Sequence, residues 1–285
     1  MELRRRFIFH GNAAAIGGRI VRPADVIIDS PVSSSLTVVG GRTHAQAGPT
    51  RFGEWVSFAS AATSAEGVFD DLKQQIEFSY HRVAQDTLTM TTHVSADVTG
   101  LSVDETPKLT IKRVHAALTS KSPAGSGEPS IALGDETTIE GAAIDGRGLV
   151  VELATAVFQR YDTRSKLLTA ADDPEFVRTS GSSLFMTSPL GGVAAPPAGR
   201  LFHGSGTIYG TIVKSITWAD QPFAGATIDN NVVDVPNFGK IFFGELLITE
   251  RSRRLTMVRM ELGSPSGGEV AVAEVDSNGT WSTGG

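Results

Sequence analysis

The sequence predicts an all-β protein, a mainly antiparallel β-sandwich or β-barrel with one or two short helices. Short runs of β-branched or alternating residues are separated by glycine, proline, asparagine and aspartate throughout the chain. Glycine supplies 31 of the 285 residues, about 11% against a usual value of about 7%, without the Gly-X-Y period of collagen. Helical patterns are few and do not alternate with strands, as a parallel sheet would require.

The first predicted hairpin joins residues 94–103 to residues 109–118 through a loop that contains proline. Both segments carry the alternation of apolar and polar residues that is typical of a half-buried strand. Strand periodicity places Leu109, Ile111 and Arg113 on one face.

A second hairpin joins residues 137–144 to residues 149–157, because Asp145-Gly146 favours the positive φ angles of a tight turn. The C-terminal part predicts a meander that ends in a tight turn at Asp276-Ser-Asn-Gly279. Neighbouring strands in the sequence are expected to pair. The strands of the meander are residues 240–249, 255–262 and 269–275.

Two helices are predicted. Thr63-Ser-Ala-Glu66 has the spacing of a capping box, and apolar residues then recur at every fourth position, which predicts a helix over residues 64–77. The second helix begins at Asp173-Pro174, with the N-cap followed by proline, and ends before Gly181.

Two pairs of segments resemble one another. Residues 9–21 resemble residues 202–213, and both begin with Phe-His-Gly; residues 100–104 resemble residues 141–145. Either an old duplication into two related halves or chance matching in a glycine-rich sequence explains them. The separations differ, so no regular solenoid or propeller period is present.

The chain is predicted to form a single all-β domain over residues 1–285. Residues 119–136 and 181–199 are rich in proline, glycine and serine and are predicted to be long loops. The alternative division uses the second loop as a boundary, with an N-terminal β region over residues 1–185 and a C-terminal meander over residues 200–285.

The charge of the chain argues against nucleic acid as a partner. The formal net charge is −6, whereas a nucleic-acid-binding domain normally has a net basic surface. Two basic clusters exist, at Arg4-Arg5-Arg6 and at Arg251, Arg253 and Arg254. They are interpreted as a solvated terminus and a solvated turn, because neither contains interleaved aromatic residues for stacking.

Cysteine is absent, which excludes disulfides, thiolate nucleophiles and Cys-ligated metals. No apolar run approaches the ~20 residues of a transmembrane helix, and the apolar stretch after Met1 is too short for a secretory signal. A cytoplasmic location is therefore expected, although leaderless export stays open.

Motif searches predict neither a cofactor nor a metal. The chain has no phosphate-binding loop, no dinucleotide-binding glycine spacing and no nucleophile elbow. The six histidines do not have the spacing of a metal site. The recurring Phe-His-Gly makes His10 and His203 the candidate site residues, which would line a shared cleft if the two halves are related.

These observations predict a non-catalytic β-rich scaffold or a self-associating interaction protein, which uses sheet edges for contact. The chain is not expected to be an enzyme, but a catalytic site assembled from distant segments stays open. The alternative function is binding of a small apolar ligand inside the sandwich or barrel, with hydrolase-like or isomerase-like chemistry. The aromatic residues available to line such a cavity are Phe52, Trp55, Phe58, Trp218, Phe223, Phe242, Phe243 and Trp281.

Overall fold

The computed structural model describes residues 7–23, 25–69, 89–123, 128–170, 202–204, 207–249, 251–263 and 267–281. Two antiparallel sheets pack face to face, which confirms the all-β sandwich predicted from the sequence. The sheets do not close into a barrel over these residues. None of the helices in the described part of the chain is long and apolar enough to cross a membrane.

The strands and helices follow one another in this order along the chain. The N-terminal strands are β1 (Phe7–Arg22), β2 (Val26–Ile28), β3 (Ser33–Ser35), β4 (Gly41–Ala47), β5 (Thr50–Phe52), β6 (Val56–Phe58), β7 (Ser60–Phe69), β8 (Thr89–Val103) and β9 (Leu109–Pro123). The middle elements are β10 (Ser130–Leu133), β11 (Thr138–Glu140), β12 (Ala142–Ile144), β13 (Arg147–Leu153), α1 (Thr155–Arg160) and α2 (Arg164–Ala170). The C-terminal strands are β14 (Phe202–Gly204), β15 (Thr207–Thr211), β16 (Val213–Trp218), β17 (Thr227–Asp229), β18 (Val232–Val235), β19 (Gly239–Ile248), β20 (Ser252–Leu262) and β21 (Gly267–Trp281).

The first sheet, sheet A, has the order β14-β15-β19-β20-β21-β1-β2, with β3 beside β1 and β18 and β17 continuing from β19. The second, sheet B, has the order β16-β13-β12-β9-β8-β6-β5. Strands β10 and β11 also pair with β9, while β7 pairs with β8 and carries β4 on its other side. Strands that follow one another in the sequence, such as β8 and β9 or β19, β20 and β21, pair as neighbours, as the sequence predicts.

The core lies between the two sheets. Valine, isoleucine, leucine and alanine side chains alternate inward along the long strands of both sheets and form one continuous buried cluster. A second cluster at one end contains Phe7, Phe9 and Met90, and the two phenylalanine rings meet edge to face at 4.8 Å. Side chains therefore fill the interior of the sandwich.

One segment passes from sheet A to sheet B at a corner. Strand β15 pairs with β19 in sheet A, and β16 pairs with β13 in sheet B after the single residue Ile212. The Ile212 N–H donates to the Gly244 carbonyl at 2.9 Å, and the Ile212 carbonyl accepts from the Ala154 N–H at 2.7 Å. Ile212 is thus hydrogen-bonded to both sides of the corner.

The predicted hairpins are confirmed. Strands β8 and β9 pair from Thr89 with Pro123 to Val103 with Leu109, so they extend beyond the predicted limits. The turn at Asp145-Gly146 has positive φ at both residues and connects β12 to β13. Strand β13 ends at Leu153, and residues 154–157 form the N-cap and first turn of α1, so the predicted second strand ends earlier than expected.

Three sequence-based predictions need correction. Residues 64–69 belong to strand β7, not to a helix, because Ala61, Thr63 and Ala65 alternate inward with period two. Strand β21 runs without a turn through Asn278-Gly279, since Gly279 pairs with Phe9 and leaves room for the Phe7 ring. The predicted loop over residues 119–136 contains the end of β9 and the whole of β10. The rest of the first predicted helix, residues 70–77, the predicted helix that begins at Asp173 and the predicted loop over residues 181–199 lie outside the described residues.

In sheet A, side chains alternate between the core and solvent along each strand. At one row this alternation shifts by one residue in β1, β21, β20 and β19. The pairing passes from Ala14–Glu274 directly to Ile16–Val272, and equivalent steps occur in the next two pairs of strands. At this row two adjacent residues are buried in β1, β21 and β19, and residues 255–258 are all buried in β20. We call the row crease A. The residues that have no partner in the strand pairing at this row are Ala15, Ala273, Met257 and Gly244.

Sheet B contains an equivalent row, crease B, formed by Ala59, Gly100, Lys112 and Gly141. The pairing of β8 with β9 passes from Thr99–Arg113 to Leu101–Ile111, so Arg113 turns outward although Leu109 and Ile111 point inward. Gly100 and Gly141 have φ values of +61° and +63°. Residues 100–104 and 141–145, which resemble one another in sequence, each begin with one of these glycines. The two glycines lie on either side of Lys112.

Replacing Gly244 with alanine tests the importance of crease A. Gly244 has φ of +60°, and a Cβ there would lie 2.7 Å from Ile212 Cγ1. We expect Gly244→Ala to lower the free energy of unfolding by about 2–3 kcal/mol, through left-handed backbone strain and overpacking. Denaturant unfolding measures the change.

Gly48→Ala is the matched control, because Gly48 has no neighbour within 4 Å of an added Cβ. Its effect should stay within about 0.5 kcal/mol. Equal effects of the two substitutions would contradict the requirement for glycine at the crease.

Candidate functional site

Crease A creates a groove on the outer face of sheet A. Because two consecutive residues of each central strand point inward, one row of the outer face carries no side chains. The groove has a volume of about 790 Å³ and is open to solvent. The small residues that line it include Ala14, Gly17 and Ala271. The polar and charged residues of its lining include Thr256, Glu274, Arg259, Glu261 and Glu269.

Arg259 organises the charged side of this groove. Its guanidinium makes two hydrogen bonds to Glu245, Nε to Oε2 at 2.6 Å and Nη2 to Oε1 at 2.8 Å. Nη1 donates to Glu261 at 2.5 Å and to Glu269 at 3.1 Å, and the guanidinium carbon lies 3.8 Å from the centre of the Phe242 ring. Burial opposes the charge, but the carboxylates raise the pKa of Arg259 overall. The groove therefore presents carboxylate oxygens around one fully paired cation.

His10 lies at the end of the same outer face. Its Nε2 is 3.6 Å from Asp276 Oδ2 and 3.1 Å from Asn12 Nδ2. Ser35 Oγ donates to Asn12 Oδ1 at 2.6 Å. The interaction with Asp276 raises the pKa of His10, while burial and Arg254 oppose this rise. Side chains from β1, β3 and β21 thus meet at His10, and protonation of His10 strengthens its interaction with Asp276 on β21.

The structure places the two predicted site histidines far apart. His10 lies on β1 and His203 on β14, and strands β21, β20, β19 and β15 separate them in sheet A. With a strand spacing of about 4.8 Å, their backbones are about 24 Å apart. The histidines are not brought together in one cleft, and a functional role for either stays a prediction.

The predicted aromatic residues do not share one wall. Phe243 is buried in the core, whereas its neighbour Phe242 lies on the outer face beneath Arg259. Phe58 is also buried, and Trp55 and Trp218 pack partly exposed at the margin of the core. No observation therefore favours an interior cavity lined by these rings, and apolar-ligand binding stays a prediction.

The basic cluster after β19 is not a uniformly solvated turn. Arg251 and Arg254 are exposed, but Arg253 is only 1% exposed and points into the sandwich. Strand alternation explains this correction, because Arg253 and Leu255 occupy the same face of β20. The same alternation was visible in the sequence. Arg4-Arg5-Arg6 lies outside the described residues.

A second polar cluster, which the motif searches missed, lies on the outer face of sheet B. Asp97 Oδ1 is 2.8 Å from Arg113 Nε and 3.1 Å from His115 Nδ1. His115 Nε2 lies 3.9 Å from Glu136. The register of the predicted hairpin places Asp97 opposite His115 and could have revealed the pair. Over the described residues, no group of three or more acidic or histidine side chains is arranged to hold a metal ion.

Strand β4 forms an open edge of sheet B. It pairs with β7 from Gly41–Gly67 to Ala47–Ala61, and no described strand pairs with its other side. Thr43, Ala45 and Ala47 are half-buried on its inner face. Within the described part of the chain, the backbone N–H and C=O groups on this side of β4 therefore have no strand partner.

Comparison with known proteins gives one match. A protein-family profile described as a domain of unknown function (DUF8256) matches residues 7–185 and 194–249. No curated protein and no solved structure matches the chain significantly.

Replacing Asp276 with asparagine tests the His10 cluster. A pKa raised in the folded state means that the His10–Asp276 interaction stabilises the fold at low pH, and that this contribution disappears as pH rises through the folded pKa. We expect Asp276→Asn to lower the pKa of His10 and to reduce this part of the pH dependence. NMR titration of the histidine ring measures the pKa. An unchanged titration would show that Asp276 does not control His10.

Replacing Arg259 with lysine tests the groove. Lysine cannot make the paired contact with Glu245 and also reach Glu261 and Glu269, so Arg259→Lys should lower the free energy of unfolding by about 1–3 kcal/mol. Arg19→Lys is the control, because Arg19 makes an exposed pair with Asp25 and its replacement should leave the free energy of unfolding nearly unchanged. Chemical denaturation compares the two variants, and similar losses would contradict a special role for Arg259.

Proposed function

Since the chain belongs to the DUF8256 family, whose description names no activity, we propose a function from its surfaces: it is a non-catalytic β-rich scaffold that associates with copies of itself. The supporting observation is the open edge at β4. Pairing of such edges adds main-chain hydrogen bonds between molecules and extends a sheet from one copy into the next.

The length of β4 supports this proposal. It contains 7 residues, whereas the edge strand β16 at the other end of sheet B contains 6. The described edge strands of sheet A, such as β2 and β14, contain 3 each. Short edge strands offer few hydrogen bonds to a second molecule. Strand β4 offers the longest edge in the described part of the chain.

The side chains of β4 also favour pairing. Residues 43–47 read Thr-His-Ala-Gln-Ala and contain no Lys, Arg, Asp or Glu. The one arginine of the strand, Arg42, already pairs with Glu66 at 2.6 Å. Charged residues, lysine above all, protect natural edges against association. Strand β4 lacks this protection over its central residues.

A second copy of this chain is a suitable occupant of the edge. Two β4 strands in antiparallel orientation are related by a two-fold axis, which produces a closed dimer. Small side chains at Thr43, Ala45 and Ala47 allow the inner faces of the two strands to approach closely. The contact would continue sheet B from one molecule into the other.

Ala45→Lys tests self-association. A lysine on the inner face of β4 places like charges near one another in a pair of β4 strands, and we expect dimerisation to weaken at least about tenfold. Size-exclusion chromatography with light scattering over a range of protein concentrations measures the dissociation constant.

Val150→Lys is the matched control, because Val150 is exposed on β13, which is paired on both sides. It should leave the dissociation constant unchanged. Gln46→Lys provides a second edge variant on the exposed face, in case Ala45→Lys does not fold. A native chain that remains monomeric at all concentrations would contradict the proposal. A thermal-shift response to apolar ligands in such a monomer would favour the alternative of ligand binding.

A further inference from the structure

Arg253 places a charged group inside the sandwich. The side chain points inward from β20 and is the largest of the fully buried side chains described. Its Nη2 donates to the Tyr161 carbonyl at 3.0 Å, whereas Nη1 is buried with no hydrogen-bond partner. A buried guanidinium with one unpaired nitrogen carries a substantial desolvation cost.

No described carboxylate forms a salt bridge with Arg253. The nearest acidic groups are already engaged: Asp162 pairs with Lys166 at 2.6 Å, and Glu128 accepts from the Ser165 N–H at 3.1 Å. Burial lowers the pKa of Arg253 to about 10, which still leaves the guanidinium charged at neutral pH. Among the described residues, no carboxylate in direct contact therefore neutralises this interior positive charge.

Two further unpaired donors accompany this charge. Ser277 lies directly opposite Arg253 in the β20–β21 pair, and its Oγ is buried without a partner. Ser120 on β9 also has a buried Oγ without a partner. Both hydroxyls have an uncommitted O–H group that can donate to an anion.

The register of the strands brings these groups into facing rows. In sheet A the row is Gly11, Ser277 and Arg253. In sheet B it is Thr92, Ser120 and Ile131. A Cβ on Gly11 would lie 3.0 Å from Thr92 Cγ2, so the two rows meet across the core. The two hydroxyls and the guanidinium therefore lie on facing rows of the two sheets.

We propose that this interior site binds a monovalent anion of halide size. The anion would accept hydrogen bonds from Arg253 Nη1 and Ser277 Oγ, with Ser120 Oγ as a third donor. A single negative charge neutralises the single guanidinium, whereas a divalent anion would leave an excess of negative charge in the core. The inference is independent of the function proposed for β4, since Arg253 lies inside the sandwich.

Halide titration of the full-length chain tests the site. Thermal unfolding is followed in sodium bromide and, at equal ionic strength, in sodium gluconate, whose anion is too large for the interior. Above the dissociation constant, each tenfold rise in bromide should raise the ratio of folded to unfolded protein about tenfold. Crystals grown in bromide should show an anomalous peak within hydrogen-bond distance of Arg253 Nη1.

Arg253→Met should remove the bromide response, while Arg254→Met, which changes the adjacent exposed arginine, should retain it. If Arg253→Met fails to fold, Ser277→Ala keeps the charge and should shift the titration to higher bromide concentration. An anomalous map without a peak, an ordered water only, or an equal bromide response in Arg253→Met or Ser277→Ala and the native chain would overturn the proposal.

Discussion

The fold depends on one constraint: neighbouring strands must change the face that they present to the core at the same row. In β21, Val272 points inward and Glu274 outward, although unbroken alternation would place both on one face. Ala273, with φ of +51°, makes the change, and Gly244 does so two strands away with φ of +60°. A strand that changed alone would bury its charged residues or lose register with its neighbours. Because the shift occurs at the same row in neighbouring strands, their inward-facing and outward-facing residues stay aligned on both sides of each crease.

The groove of sheet A and the open edge of sheet B are both shaped by these creases. Crease A removes a row of outward side chains, which opens the groove beside Arg259. Crease B continues to the sheet edge, where Gly48 and Pro49 separate β4 from β5 opposite Ala59. Proline cannot donate a ladder hydrogen bond, so the crease limits the length of continuous free edge. The same backbone feature thus shapes one outer face and one edge.

The sequence predicted the strands better than the sites. Alternation and turn residues identified β8, β9 and the C-terminal meander, because these signals are local. The helix expected over residues 64–77 was wrong at its start, since small residues such as Ala61 and Ala65 suit a tightly packed strand that capping-box spacing does not reveal. The distance between His10 and His203 depends on strand order, and the groove depends on aligned creases in four strands. Neither property is encoded in a local motif.

Hydrogen–deuterium exchange at the amides of Gly41–Ala47 is the most direct measurement of edge pairing. Outward-facing amides of a free edge exchange rapidly, whereas amides paired with a second molecule are protected. We predict that protection in β4 increases with protein concentration, while exchange in the internally paired strand β8 remains constant. Rapid exchange throughout β4 at every concentration, including those at which the protein is associated, would contradict pairing at this edge.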